Sequence, residues 1–228
     1  RGLARNIRFY QKWAFFIAPP LPYFESVSLR TSSFASLASQ NIEILQPGAH
    51  TGGVSIDILK SFGVKVSIIG HSELRAQGET DELVNRKMKL LLRSGISPLL
   101  CIGESTRDDA GEHFGFLRVQ LERALSGLAK KGDVSRLIVA YEPVWAIGKS
   151  ARITMEPDEL SQTVIFIKKV LSDILGRRAA DRIPILYGGS VEPDNARALI
   201  KTGVRGFLVG HASLNPKDFK KIAESISK

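Results

Sequence analysis

A single cysteine, Cys101, in 228 residues rules out an internal disulfide and fits a reducing compartment. Long apolar runs are missing too. Trp13–Ala18 stops at Pro19-Pro20 and Leu137–Ala146 is interrupted by Glu142, so neither reaches the roughly 18 residues of a membrane span. No group of His, Cys, Asp or Glu has metal-ligand spacing, and no Gly-x-Gly-x-x-Gly turn follows an early strand. No metal is expected. The lone cysteine makes a cytoplasmic location the expectation, and the chain, which begins at Arg1 without an initiator Met or a secretory n-region and h-region, is expected to be trimmed or to have a start that is not shown.

Hydrophobic residues at 43% and charged residues at 24% lie near the globular average, which excludes a disordered or low-complexity chain. The formal charge of +9 favours anionic partners. The basic pairs Lys130-Lys131, Arg177-Arg178 and Lys220-Lys221 stand far apart at helix ends or in loops, where cations stay solvated. They read as surface, and neither nucleic acid nor a membrane is expected as a partner.

Short apolar runs alternate with amphipathic stretches, and no linker divides them. The candidate strands are Ala14–Ala18, Phe34–Gln40, Val66–Ile69, Ser97–Ile102, Leu137–Tyr141, Ile183–Tyr187 and Gly206–Val209. Helices are expected over Leu83–Arg93 after Thr80-Asp81-Glu82, over Leu160–Leu175 after Glu156-Pro157, and over Ala196–Lys201 after Pro193-Asp194. Continuously apolar strands imply burial on both faces, hence parallel strands joined by crossover helices. A closed βα barrel and an open doubly wound sheet both satisfy this; the missing glycine fingerprint favours the barrel. Arg1–Trp13 reads as the end of a helix, so the expected fold is an α/β (β/α)8 barrel, one domain over residues 1–228, whose first strand is missing from the chain as given.

Functional groups in such a fold stand at strand C-termini. Val66–Ile69 runs into Gly70-His71-Ser72-Glu73, and Leu137–Tyr141 into Glu142. A carboxylate buried there without an adjacent cation has its pKa raised toward proton-transfer duty. The long connection from Pro143 to Glu156, carrying Trp145 and Gly148, reads as a lid. Gly188-Gly189-Ser190 and Gly210-His211 end successive units, where adjacent glycines and a helix N-terminus make an anion cradle. His50 and His113 read as exposed, and Cys101 as a packed core residue without a neighbouring base.

Ala18-Pro19-Pro20, Gln40-Asn41, Gly48–Gly52, Ile69–Arg75, Cys101–Glu104, Ala140–Gly148, Tyr187–Val191 and Gly206–Leu214, in that order, resemble the triosephosphate isomerase family from about Phe16 to Phe219. The resemblance implies interconversion of dihydroxyacetone phosphate and D-glyceraldehyde 3-phosphate without a cofactor, in a homodimer. It implies that Glu142 is the base, neutral His71 the electrophile and Glu73 a supporting residue; Gly148, Ser190 and the backbone of Gly210 and His211 would hold the phosphate. The family's first strand ends in an Asn and a Lys that meet substrate, and this sequence has no equivalent of either. The alternative is therefore an impaired barrel relative that only binds a sugar phosphate. His211 replaces the usual glycine after Gly210, and Gly53 stands where the family usually has Glu.

Overall fold

The computed structural model describes residues 13–31, 35–45, 49–108, 110–128, 134–146 and 155–227. Six strands form one sheet in the order of the chain: β1 (Phe16–Ile17), β2 (Ser36–Ser39), β3 (Val66–Ile69), β4 (Ser97–Ile102), β5 (Ile138–Tyr141) and β6 (Ile185–Tyr187). Every pairing is parallel, with Val66 opposite Ser97, Leu99 opposite Ile138 and Val139 opposite Ile185. A doubly wound sheet reverses its strand order once; this one never does. Monotonic order with same-handed crossovers rolls the sheet so that the helices lie outside. Phe15, just ahead of β1, meets Phe219 of the last helix edge to face at 6.2 Å, bringing the two ends of the element order together. The architecture is that of a (β/α) barrel wall.

The central strands fall where continuous apolar runs predict them. The run expected over Gly206–Val209 shrinks to one parallel bridge, Tyr187 to Phe207. Its neighbour β6 is only three residues long, and no strand pairs with its other side among the described residues. The expected leading helix, Arg1–Trp13, lies outside the described residues except for Trp13, which is not helical, and the start of the second expected strand, Phe34, lies outside them too.

Alternation along the strands separates two apolar layers. Val66 and Ile68 of β3, Leu99 and Cys101 of β4 and Ala140 of β5 cluster inside the barrel. Ile69, Leu100, Ile102, Val139 and Tyr141 face the helices in the larger core. This period of two puts the residue after Tyr141 on the inner side, in line with Ala140.

Between the strands lie the helices α1 (Phe24–Thr31), α2 (Ile56–Ser61), α3 (Ser72–Ala76), α4 (Asp81–Ser94), α5 (Glu112–Ala124), α6 (Pro157–Leu175) and α7 (Arg177–Ala180), and their ends follow local sequence signals. Thr80 caps α4 (Asp81–Ser94) by accepting from the Leu83 amide at 3.2 Å, and Gly95, at φ 84°, ends it. Val84, Met88 and Leu91 form its buried stripe. A capping box between Glu156 and Glu159, with Pro157 in the first turn, starts α6 (Pro157–Leu175). Among the described residues no helix is long and apolar enough to cross a membrane.

A buried polar network holds the turn after β3. Lys87 of α4 pairs with Glu79, both side chains 5% exposed, and Lys87 Nζ also donates to Asn41 Oδ1 at 2.7 Å. The second Glu79 oxygen accepts the Gly70 amide at 2.8 Å, and Arg75 Nε donates to the Gly70 carbonyl at 2.7 Å. Gly70 has φ 69°, and a Cβ there would lie 3.0 Å from the Cys101 carbonyl, so glycine is needed on both counts. Removing one partner of such a pair leaves a buried charge uncompensated. Lys87→Ala is expected to cost about 3–5 kcal/mol in denaturant unfolding, and an unchanged midpoint would show the pair to be dispensable.

Candidate active site

Four turns meet at the strand C-terminal end. His71 begins the turn after β3 as N-cap of α3 (Ser72–Ala76), and its Nδ1 accepts the Glu73 backbone amide at 3.3 Å. A nitrogen that accepts carries no proton, so the ring's hydrogen is on Nε2. That Nε2 lies 3.4 Å from Glu142 Oε1. Glu142 Oε2 in turn faces the Ser72 amide at 3.4 Å. Sequence positions 71 and 142 are thus brought together by strands that are not neighbours, since β4 lies between β3 and β5.

Glu142 is a buried carboxylate, its side chain 3% exposed against 30% for His71. Burial pushes its pKa above the ordinary carboxylate range; His71, the Cys101 thiol, the Ser72 amide and Arg75 each pull the other way without prevailing. Cys101 therefore does have a basic neighbour, contrary to its reading as an isolated core thiol. Burial first, and then Glu142, raise its own pKa. Two glycines make room for the glutamate. A Cβ on Gly103 would collide with the Glu142 carbonyl oxygen, and one on Gly188 would stand 2.8 Å from Glu142 Cγ. The second contact also sets the Gly188-Gly189 turn directly against the carboxylate.

Glu104, which stands out in the sequence only as the last residue of the Cys101–Glu104 motif, anchors the turn after β5. It is buried, and one of its oxygens accepts both the Tyr141 hydroxyl and Trp145 Nε1 at 2.8 Å. Arg107 stacks over the Trp145 ring at 5.7 Å. A carboxylate two residues past β4 was the available signal, the same kind that singled out Glu142. Ser190 Oγ donates to the Ala146 carbonyl at 2.9 Å, tying the turn after β6 to the turn after β5.

The remaining candidates divide. Glu73 is exposed in the first turn of α3, and it meets His71 through its backbone amide. Gly210 and His211 are exposed at the same end, where His211 opens a short 3-10 turn over His211–Leu214. No non-glycine residue has positive φ among the described residues, so His211 fits without left-handed strain. Gly148 and the expected lid residues 147–154 lie outside the described residues. His50 is exposed, as expected. His113, expected exposed, is buried at 7%, stacked on Phe114 at a ring separation of 4.2 Å. The cause is local: Asp108 accepts the Glu112 and His113 amides, so the ring turns inward against the helix layer.

The Glu142 shift has a stability consequence. The folded protein holds that proton more tightly than the unfolded chain, so the carboxyl's contribution is full below the unfolded pKa and is lost as pH rises through the folded one. Glu142→Gln, neutral at every pH, is expected to melt above the parent at pH 8, with the gap closing toward pH 4. A variant that melts below the parent by the same margin at both would contradict the shift.

The triosephosphate isomerase family model matches residues 2–226. The chain is 40% identical over 213 residues to the triosephosphate isomerase of Carboxydothermus hydrogenoformans, covering 91% of this chain and 83% of that protein. It is 43% identical over 189 residues to the triosephosphate isomerase of Geobacter metallireducens, covering 82% and 74%. For that of Cytophaga hutchinsonii the identity is 39% over 210 residues, covering 90% and 82%. With the parallel barrel wall and the juxtaposed imidazole and carboxylate, these matches place the chain in the triosephosphate isomerase family, a family of isomerases.

Proposed function

We propose that the chain interconverts dihydroxyacetone phosphate and D-glyceraldehyde 3-phosphate by proton transfer through an enediolate. The observation that carries this reading is the 3.4 Å approach of His71 Nε2 to the buried Glu142 carboxylate. Glu142 takes a proton from the carbon beside the carbonyl. The electrons move onto the carbonyl oxygen, which the His71 Nε2–H stabilises as the enediolate forms. The proton of the adjacent hydroxyl passes to that oxygen, a transfer within reach of the His71 ring, and Glu142 returns its own proton to the former carbonyl carbon, so the hydroxyl carbon becomes the new carbonyl and no redox partner or cofactor is consumed.

Each group suits its part. Burial that raises the Glu142 pKa strengthens it as a base. His71, with Nδ1 occupied by the Glu73 amide, presents one donor and no positive charge to the oxygen. Glu73 supports it through that amide. The Ser190 hydroxyl, held by Ala146 here, would exchange that partner for a substrate phosphate oxygen. Gly148, Ser190 and the amides of Gly210 and His211 form the phosphate grip in this reading. We further propose that residues 1–228 act as one barrel domain, within a homodimer in the cytoplasm.

A coupled assay for triose phosphate turnover tests the assignment. Glu142→Gln is expected to lower turnover by on the order of 10²–10⁴, with affinity for inorganic phosphate retained. Ser190→Asp is expected to weaken phosphate binding by like-charge repulsion while leaving the His71–Glu142 pair in place. Unaltered turnover in Glu142→Gln removes the base. A parent protein that binds phosphate yet turns nothing over would support the binding-only alternative instead.

A further inference from the structure

The net charge of +9 is unevenly distributed over the barrel. At the end where the strands begin, Lys65, Arg136, Arg182 and Arg205 stand exposed, one each in the loops ahead of β3, β5, β6 and the Phe207 bridge. Their backbones mark that end directly: the Lys65 carbonyl accepts the Ser97 amide at the start of β4, and the Arg205 amide donates to the Ile185 carbonyl at the start of β6. Ahead of β4 there is no such cation, and there Arg136 Nη1 reaches across to the Gly95 carbonyl. Lys60, Arg93 and Lys201 are exposed in the last turns of helices that finish at the same end. Arg177 and Arg178 are exposed on the short helix α7 (Arg177–Ala180) between α6 and β6.

Carboxylates are nearly missing from these loops. Among the described residues only Asp181 stands there, 3.9 Å from Arg177. At the opposite end Glu43 and Glu73 are exposed, while Glu79, Glu104 and Glu142 are buried. Helix dipoles account for cations in last turns such as Arg93 and Lys60, at about 0.3–1 kcal/mol each. They do not account for Lys65, Arg136, Arg182 and Arg205, which stand beyond the helices. Concentrated cations of one sign on a rigid surface are the footprint of a polyanion.

The composition of the face selects the polyanion. Arginine outnumbers lysine, which suits forked hydrogen bonding to phosphate. Among the described residues none of the exposed large hydrophobic residues lies in the loops ahead of β3 to β6 and the bridge; Phe16 is exposed in β1 and Leu29 in the helix Phe24–Thr31 that precedes β2. There is accordingly no aromatic platform for unstacked bases and no apolar wedge for a bilayer among the described residues of these loops. Phosphates at regular spacing on a rigid rod remain.

We propose that the strand-start end of the barrel, opposite the catalytic end, binds the phosphate backbone of a nucleic-acid duplex without sequence preference. This surface is independent of the catalytic assignment, and the two ends can be occupied together. Fluorescence anisotropy with a labelled 24-base-pair duplex of mixed sequence, titrated at about 25–300 mM NaCl, tests it. Binding is expected to weaken with a log–log salt slope of about −4 or steeper. Replacing Arg136, Arg182 and Arg205 together by Ala is expected to reduce the slope by about 2.7 and weaken binding at least tenfold at the lowest salt. Replacing Lys60, Lys65 and Lys201 by Ala carries the same prediction, should the first variant fail to give a native circular-dichroism melt. No duplex binding at the lowest salt, or folded variants that bind like the parent, would overturn the proposal. So would tighter binding to phosphatidylserine vesicles or to polyglutamate than to the duplex.

Discussion

The site depends on one buried carboxylate facing an imidazole whose other nitrogen is already occupied. Glu142 is taken out of water by the glycine turns around it, yet among the described residues no lysine or arginine pairs with it; the nearest partners are the His71 ring, a thiol and an amide. Such a group is costly for stability and useful for chemistry, because burial leaves it eager for a proton. His71 is its complement. By accepting the Glu73 amide, its ring caps a helix and turns Nε2 toward the carboxylate in one arrangement. A side chain that pointed elsewhere would lose both contacts together.

The barrel wall supplies this geometry from simple alternation. Inward and outward residues along β3, β4 and β5 separate a small inner cluster from the large outer core. Continuing the alternation by one residue brings Glu142 to the inner rim beside Cys101. Around it the supports are polar and long-range in sequence: Glu79 and Lys87 beneath the His71 turn, Glu104 beneath Trp145, and Ser190 against Ala146. The pairs tie each turn to a neighbouring element, which gives the end of the barrel a definite shape.

Legibility in the sequence was a matter of range. The central strands read correctly because continuous apolar runs have few other uses, and α4 and α6 because Thr80 and the Glu156–Glu159 box announce them locally. His71 and Glu142 were legible as strand-end residues and through family resemblance. Their mutual contact was not, since it crosses an intervening strand. The thiol of Cys101 was hidden from its basic neighbour because the pairing of β4 with β5, which sets Cys101 opposite Ala140, is not written in either strand alone. His113 was misread because an acidic helix start looks solvated, although Asp108 five residues earlier accepts its amide and the ring stacks on the adjacent Phe114. The strand expected at Gly206 shrank to a bridge because strand length depends on what pairs alongside it. The charged face was invisible for a related reason: single cations scattered through the sequence converge only when the strands align.

Nitrogen-15 NMR of the His71 ring at neutral pH is the most direct test of the central arrangement. The account predicts a bare Nδ1 that accepts a hydrogen bond and a proton on Nε2. A proton found on Nδ1 would contradict it, because the Glu73 amide could not then donate there and Nε2 would have nothing to offer a developing oxyanion.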